Sequence, residues 1–155
     1  MAKENNKPAN ENINKYDEVP YQSYPYGNTE ISRLSTIADL FSVEAVDVKK
    51  AKILELGCAS GGNLIPMAAR YPESEFVGID LSEVQIKDGQ NKIEKLGLKN
   101  IELKNINILD VDKNFGKFDY IIVHGIISWV PENVQNKILE ICGQNLTDNG
   151  IAYVS

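Results

Sequence analysis

Ile53-Leu54-Glu55-Leu56-Gly57-Cys58-Ala59-Ser60-Gly61-Gly62-Asn63 decides the fold of this chain. An apolar run ends in a carboxylate, breaks into a turn of small residues and passes at once into a helix-forming segment, Leu64 to Arg70. About one strand–helix unit later a second apolar run, Phe76-Val77-Gly78-Ile79, ends in Asp80. A strand, a glycine-rich turn, a helix and a second strand closed by an acid together make a crevice for an adenosine-containing ligand. The glycines let backbone approach the ligand, and the acid is placed to accept from paired ribose hydroxyls.

Outward from that stretch the alternation continues. It predicts strands over 52–56, 75–80, 101–106, 118–124 and 151–154, with helices over 63–70, 83–96 and 132–145. Ser82-Glu83-Val84-Gln85 has the form of a capping box, and Leu96-Gly97 is a suitable helix stop. Pro66 falls in the first turn of its helix and Pro131 opens the next, where a missing N–H costs little. Strands alternating with helices imply an α/β, Rossmann-like, doubly wound parallel sheet of about five strands over residues 51–155. Before it, residues 16–50 form an arm and a helix. Ile31, Leu34, Ile37, Ala38 and Phe41 place that helix over about 29–41. The arm, 16–27, holds four of the seven tyrosines and two prolines. Residues 1–15 are polar and predicted to be a disordered tail. Ile151-Ala152-Tyr153-Val154-Ser155 reads as a fifth strand with nothing after it. The expectation is a core truncated there, with an exposed edge open to another strand. The plainer alternative is a complete five-stranded sheet.

Composition narrows the function classes. A chain of 155 residues is one domain with room for a core. A net charge of −6 argues against a nucleic-acid binder, which needs a basic surface. The longest apolar runs are strand-sized, so no membrane insertion is expected, and the polar start has no apolar leader. Cys58 and Cys142 read as free thiols in a reducing cytoplasm. One histidine and two distant cysteines cannot supply a metal site.

The turn itself discriminates between ligands. A dinucleotide fingerprint is G-x-G-x-x-G, whose middle glycine admits the pyrophosphate. Here Ala59 stands at that place, which disfavours NAD or FAD and suits a ligand without pyrophosphate. S-adenosyl-L-methionine (SAM) is such a ligand. Glu55 is placed to face its ammonium group and Asp80 its ribose. The bland alternative makes Asp80 a helix-capping acid and Glu55 a solvated strand end.

The segment Glu55-Leu56-Gly57-Cys58-Ala59-Ser60-Gly61-Gly62-Asn63-Leu64 resembles motif I of class I SAM-dependent methyltransferases, and Gly78-Ile79-Asp80-Leu81-Ser82 resembles the motif after it. The similarity runs from about Tyr16 to Ser155. It takes in Tyr16-Asp17-Glu18-Val19-Pro20-Tyr21, Ser23-Tyr24-Pro25-Tyr26, Phe118-Asp119-Tyr120-Ile121-Ile122, His124-Gly125 and Ser128-Trp129-Val130-Pro131. It points to the N-terminal core of bacterial protein-lysine methyltransferases that carry a methyltransferase regulatory domain. The resemblance implies SAM as cofactor and a core that continues elsewhere. It assigns Glu55, Gly57, Ala59 and Asn63 to the methionine end, Asp80 to the ribose, Leu81 and Gln85 to the adenosine, and counts Cys58 among the cofactor-binding residues. Asn107 and Ile108 fall beside the adenine, where the family usually has Asp-Ile. Glu30-Ile31 departs from the family's His-Pro.

The catalytic residue is open. His124, at the carboxyl end of the fourth strand, is a candidate base or cofactor contact, or only a satisfied strand-end histidine. Trp129 reads as packing and helix entry. The arm tyrosines read as a lid, or else as staples for the first helix. Three functions compete: a methyltransferase core needing a partner, a degenerate SAM-binding fragment, and an NAD-binding domain. The partner would be a second copy through the edge strand or a separately encoded C-terminal half, with protein as the substrate.

Overall fold

The computed structural model describes residues 22–155; the predicted tail and the first part of the tyrosine arm lie outside the described residues. Helix α1 (Ile31–Leu40) leads into β1 (Lys52–Leu56), α2 (Leu64–Arg70), β2 (Glu75–Asp80), α3 (Glu83–Leu96) and β3 (Ile101–Asn105). A short 3₁₀ turn (Ile108–Asp110), β4 (Phe118–Val123), α4 (Glu132–Asn145) and β5 (Leu146–Val154) follow. The five strands form one sheet in the order β3-β2-β1-β4-β5. Every neighbouring pair is parallel. Strand order therefore reverses beside β1, and the carboxyl ends of β1 and β4 flank the crevice that such a reversal opens.

Side-chain alternation along the strands sorts the core into two layers. Ile53, Phe76, Tyr120 and Ile122 face α1, α2 and α3 through Ile31, Leu34, Leu64, Met67 and Ile86. Leu54, Leu56, Ile79, Ile121 and Val123 face α4 through Ile138 and Ile141. Period-two alternation sends neighbours to opposite faces, so the continuous apolar runs in β1 and β4 reflect burial on both sides.

The caps follow the sequence signals. Ser82 caps α3 by accepting from Gln85 N–H, and Gly97 closes it in the left-handed region. Glu30 caps α1, accepting from the Ser32 backbone and hydroxyl and from Tyr71 Oη at 2.8 Å, with Arg70 3.9 Å away. Burial pushes the Glu30 carboxyl up, but the Ser32 and Tyr71 hydrogen bonds and the Arg70 charge together hold it below its usual range. The departure at this position thus supplies the arm–helix junction with its anchor.

Two expectations need revising. β5 begins at Leu146, not Ile151, because Leu146 pairs with Phe118 and an irregularity intervenes before Ile151 pairs with Tyr120. A strand with a bulge has no simple alternation to read. Trp129 does not pack: it is 81% exposed.

Candidate cofactor site at the carboxyl edge

The turn after β1 is built on positive φ angles. Gly57 has φ 71°, Ala59 48° and Gly61 74°. Gly57 and Cys58 donate their N–H groups to Ile79 O at 2.8 and 3.0 Å, which ties the turn to the tip of β2. A Cβ on Gly57 would meet Ile126 Cδ1 at 2.0 Å, so the segment after β4 lies directly over the turn. Ala59 holds a conformation that costs an L residue on the order of 1 kcal/mol. Its N–H donates to Asp80 Oδ2 at 2.8 Å, and this bond steadies it.

Asp80 also accepts from Ser82 N–H at 2.8 Å through Oδ1. The two backbone donors orient the carboxylate across the gap between the turn and α3. The helix-junction role and the ligand-facing position coincide in this residue. Asn105, which no sequence signal singled out, donates to Asp80 O and Leu81 O at 3.0 and 2.8 Å and steadies the strand tip from β3.

Glu55 is not a solvated strand end; it is 4% exposed. Its Oε1 accepts from Asn63 Nδ2 at 2.7 Å, while the buried Oε2 has no hydrogen-bond partner. Burial, opposed by the Asn63 bond and reinforced by the Asp80 charge, pushes its carboxyl up to about 7. Burial, Glu55 and Asp80 also push the Cys58 thiol up. A buried acceptor without a donor carries a cost unless something cationic or protic completes it.

Asn63 stands just before α2 yet makes no capping bond. Its side chain is committed elsewhere: Oδ1 accepts from Tyr26 N–H at 3.0 Å and faces Thr29 Oγ1 at 3.0 Å. Ser23 Oγ accepts from Gly62 N–H at 2.8 Å, and a Cβ on Gly62 would sit 2.2 Å from Ser23 O. The arm from Ser23 to Thr29 is therefore seated on the turn. The Tyr26 ring lies 4.2 Å from the His124 ring, centroid to centroid, and His124 Nδ1 is 2.9 Å from Ser155 Oγ.

The remaining predicted residues are more dispersed. Gln85 is buried in the first turn of α3, Leu81 is exposed, and Ile108 packs against the α4-side core. Asn107 Oδ1 accepts from Leu109 N–H at 3.0 Å and so caps the 3₁₀ turn. Ser23, Thr29 and Ile126 escaped the sequence reading, because their roles depend on chain crossings.

A parallel sheet whose order reverses beside β1, with acids at the tips of β1 and β2 and a tight turn between them, defines a class: nucleoside-cofactor proteins of the SAM-dependent methyltransferase fold. The orphaned Glu55 oxygen fits the ammonium of such a cofactor, whereas the missing side chains of Gly57 and Gly62 make room for Ile126 and for the Ser23 backbone. The chain belongs to the methyltransferase domain family, whose model matches residues 54–152. It is 58% identical over 142 residues to an uncharacterized protein of Rickettsia prowazekii, covering 92% of this chain and 26% of that protein. It is 32% identical over 107 residues to the carboxy-S-adenosyl-L-methionine synthase of Campylobacter hominis, covering 69% of this chain and 44% of that enzyme. The structure of PKMT2 from Rickettsia typhi in complex with AdoHcy superposes with a TM-score of 0.84 at 44% identity, over 87% of this chain and 26% of that one. The chain thus spans about a quarter of the length of that structure and of the Rickettsia prowazekii protein.

Proposed function

We propose that this chain is the cofactor-binding core of a cytoplasmic methyltransferase that modifies protein lysine side chains. The core would act with further polypeptide, either a second copy joined through the β5 edge or a separately encoded C-terminal half. The observation that carries the reading is the buried Glu55 Oε2 without a partner, opposite Asp80 across the glycine-rich turn. The similarity to PKMT2 supports the lysine acceptor.

Glu55 takes the ammonium of the cofactor and Asp80 the ribose hydroxyls, with Leu81, Gln85, Asn107 and Ile108 towards the adenosine. The cofactor supplies an activated methyl group on a sulfonium. The protein's part is to align the acceptor nitrogen and exclude water. A lysine ammonium has no lone pair and must lose a proton before attack. His124 is the candidate to accept it, held between Tyr26 and Ser155. A second reading, a fragment that binds SAM without catalysing transfer, is favoured by Asn107, whose amide lacks the charge of an aspartate and whose oxygen is taken up by Leu109.

Calorimetry with SAM, S-adenosylhomocysteine and NAD tests the cofactor. Binding of NAD with no response to either sulfur nucleoside would defeat the reading. Transfer of labelled methyl to lysine-containing proteins, with and without the polypeptide encoded next to this one, separates the active core from the inert fragment.

A further inference from the structure

Asn63 joins two parts of the molecule that the sequence treats separately. Its Nδ2 donates to Glu55 Oε1 at 2.7 Å, and its Oδ1 receives the arm through Tyr26 N–H and the hydroxyl of Thr29, each at 3.0 Å, the single Thr29 proton being shared with Tyr26 O at 2.9 Å. Thr29 is completely buried and Asn63 is 4% exposed. One rigid amide plane carries both sets of bonds, so turning it to suit one side breaks the other. The arm is also stapled to the same turn where Gly62 N–H meets Ser23.

We propose that Thr29 and Asn63 are positioning residues that couple seating of the arm to presentation of the free Glu55 oxygen, so that cofactor binding and arm closure strengthen each other. The inference rests on the cofactor reading given above. With the arm seated, Asn63 faces Glu55 with its donor side and leaves the buried Oε2 as the acceptor without a partner. With the arm released, Oδ1 loses its partners and the amide is no longer held in that orientation. By linkage, whatever the arm adds to cofactor affinity the cofactor returns to the arm.

The ionisable groups that interact with Glu55 are Asp80 at the tip of β2 and Cys58 in the turn. Among the groups acting on it, Asn63 lowers its proton affinity and Asp80 raises it. Burial is the largest influence and raises it, so loosening Asn63 while Glu55 stays buried moves the Glu55 titration upward.

The test uses the full chain with Thr29→Val and Thr29→Ser. S-adenosylhomocysteine affinity is measured by calorimetry, the Glu55 titration by carboxyl NMR, and arm closure by amide exchange at Tyr26 and Gly62. Thr29→Val is expected to weaken binding about tenfold and raise the Glu55 midpoint, with Thr29→Ser restoring both. Ligand should slow exchange at Tyr26 and Gly62 in the unaltered chain. Ser23→Ala, which frees the arm outside the core, should shift the same readouts less and covers the case in which Thr29→Val fails to fold. Unchanged affinity and an unmoved midpoint in the folded variants would overturn the coupling. If the unaltered chain binds no S-adenosylhomocysteine, the cofactor reading falls instead, and the Glu55 titration still decides whether the arm is coupled to Glu55.

Discussion

Glu55 concentrates the site's electrostatics in one carboxyl. Its folded value of about 7 lies above the usual carboxylate range because burial and Asp80 outweigh the Asn63 bond. A raised value in the folded state stabilises the free protein at low pH, and that contribution fades as pH rises from about 4.5 towards 7. A cationic ligand reverses the preference. Affinity for S-adenosylhomocysteine should climb between pH 6 and 8, with proton release below about 7, measurable by calorimetry in buffers of different ionisation heat. Glu55→Gln should weaken binding roughly 10- to 100-fold, the worth of a charge-assisted bond, and flatten the pH profile. A profile in Glu55→Gln that still climbs would assign the titration to another group. Ala59 offers a second residue-scale test. Its φ of 48° strains an L residue, so Ala59→Gly should leave the fold intact and raise stability by up to about 1 kcal/mol in thermal unfolding. A clear loss would mean that the Ala59 methyl makes contacts worth more than the strain.

At the scale of elements, the arm and the turn are joined by a close approach. A methyl on Gly62 would collide with the Ser23 carbonyl, a backbone atom that has no rotamer by which to escape. Gly62→Ala should therefore unseat the arm, destabilise the protein by about 1–3 kcal/mol and speed proteolytic cleavage between residues 22 and 30. Unchanged cleavage would show that the arm is held mainly elsewhere, for instance through Glu30 and Tyr71. The loop after β4 is pinned in a similar way. Gln135 Nε2 donates to Ile127 O and Val130 O at 2.9 and 3.1 Å, while Trp129 N–H donates to Ile126 O at 2.8 Å. That pinning leaves the Trp129 ring in solvent although Ile126, Ile127 and Val130 near it pack against the core, which composition and spacing could not foresee.

At the scale of the whole molecule, the two sheet edges differ. On β3, Gln90 Nε2 reaches Leu103 O at 2.8 Å and Lys104 pairs with Glu102 at 3.0 Å, side-chain cover of the kind that discourages pairing. Among the described residues β5 is the outermost strand on the other side, with Ala152 exposed. Self-association through β5 is the expected outcome at micromolar concentration, read by sedimentation velocity, and an Ala152→Lys variant should weaken it. A monomer throughout would remove the second copy as a partner. The sequence by itself determined the alternation of strands and helices, the parallel sheet, the tight turn and the two acids, because short apolar runs and glycine positions are local physics. It also located the Ser82 and Gly97 caps, whose bonds span only a few residues. Only the tertiary structure decided that Glu55 is buried with one oxygen unpaired and that Asn63 joins it to an arm 34 to 37 residues away. It likewise decided that Asn105 steadies the Asp80 tip and that Trp129 stands in water. Those properties depend on which segments cross in space, and no local pattern encodes a crossing.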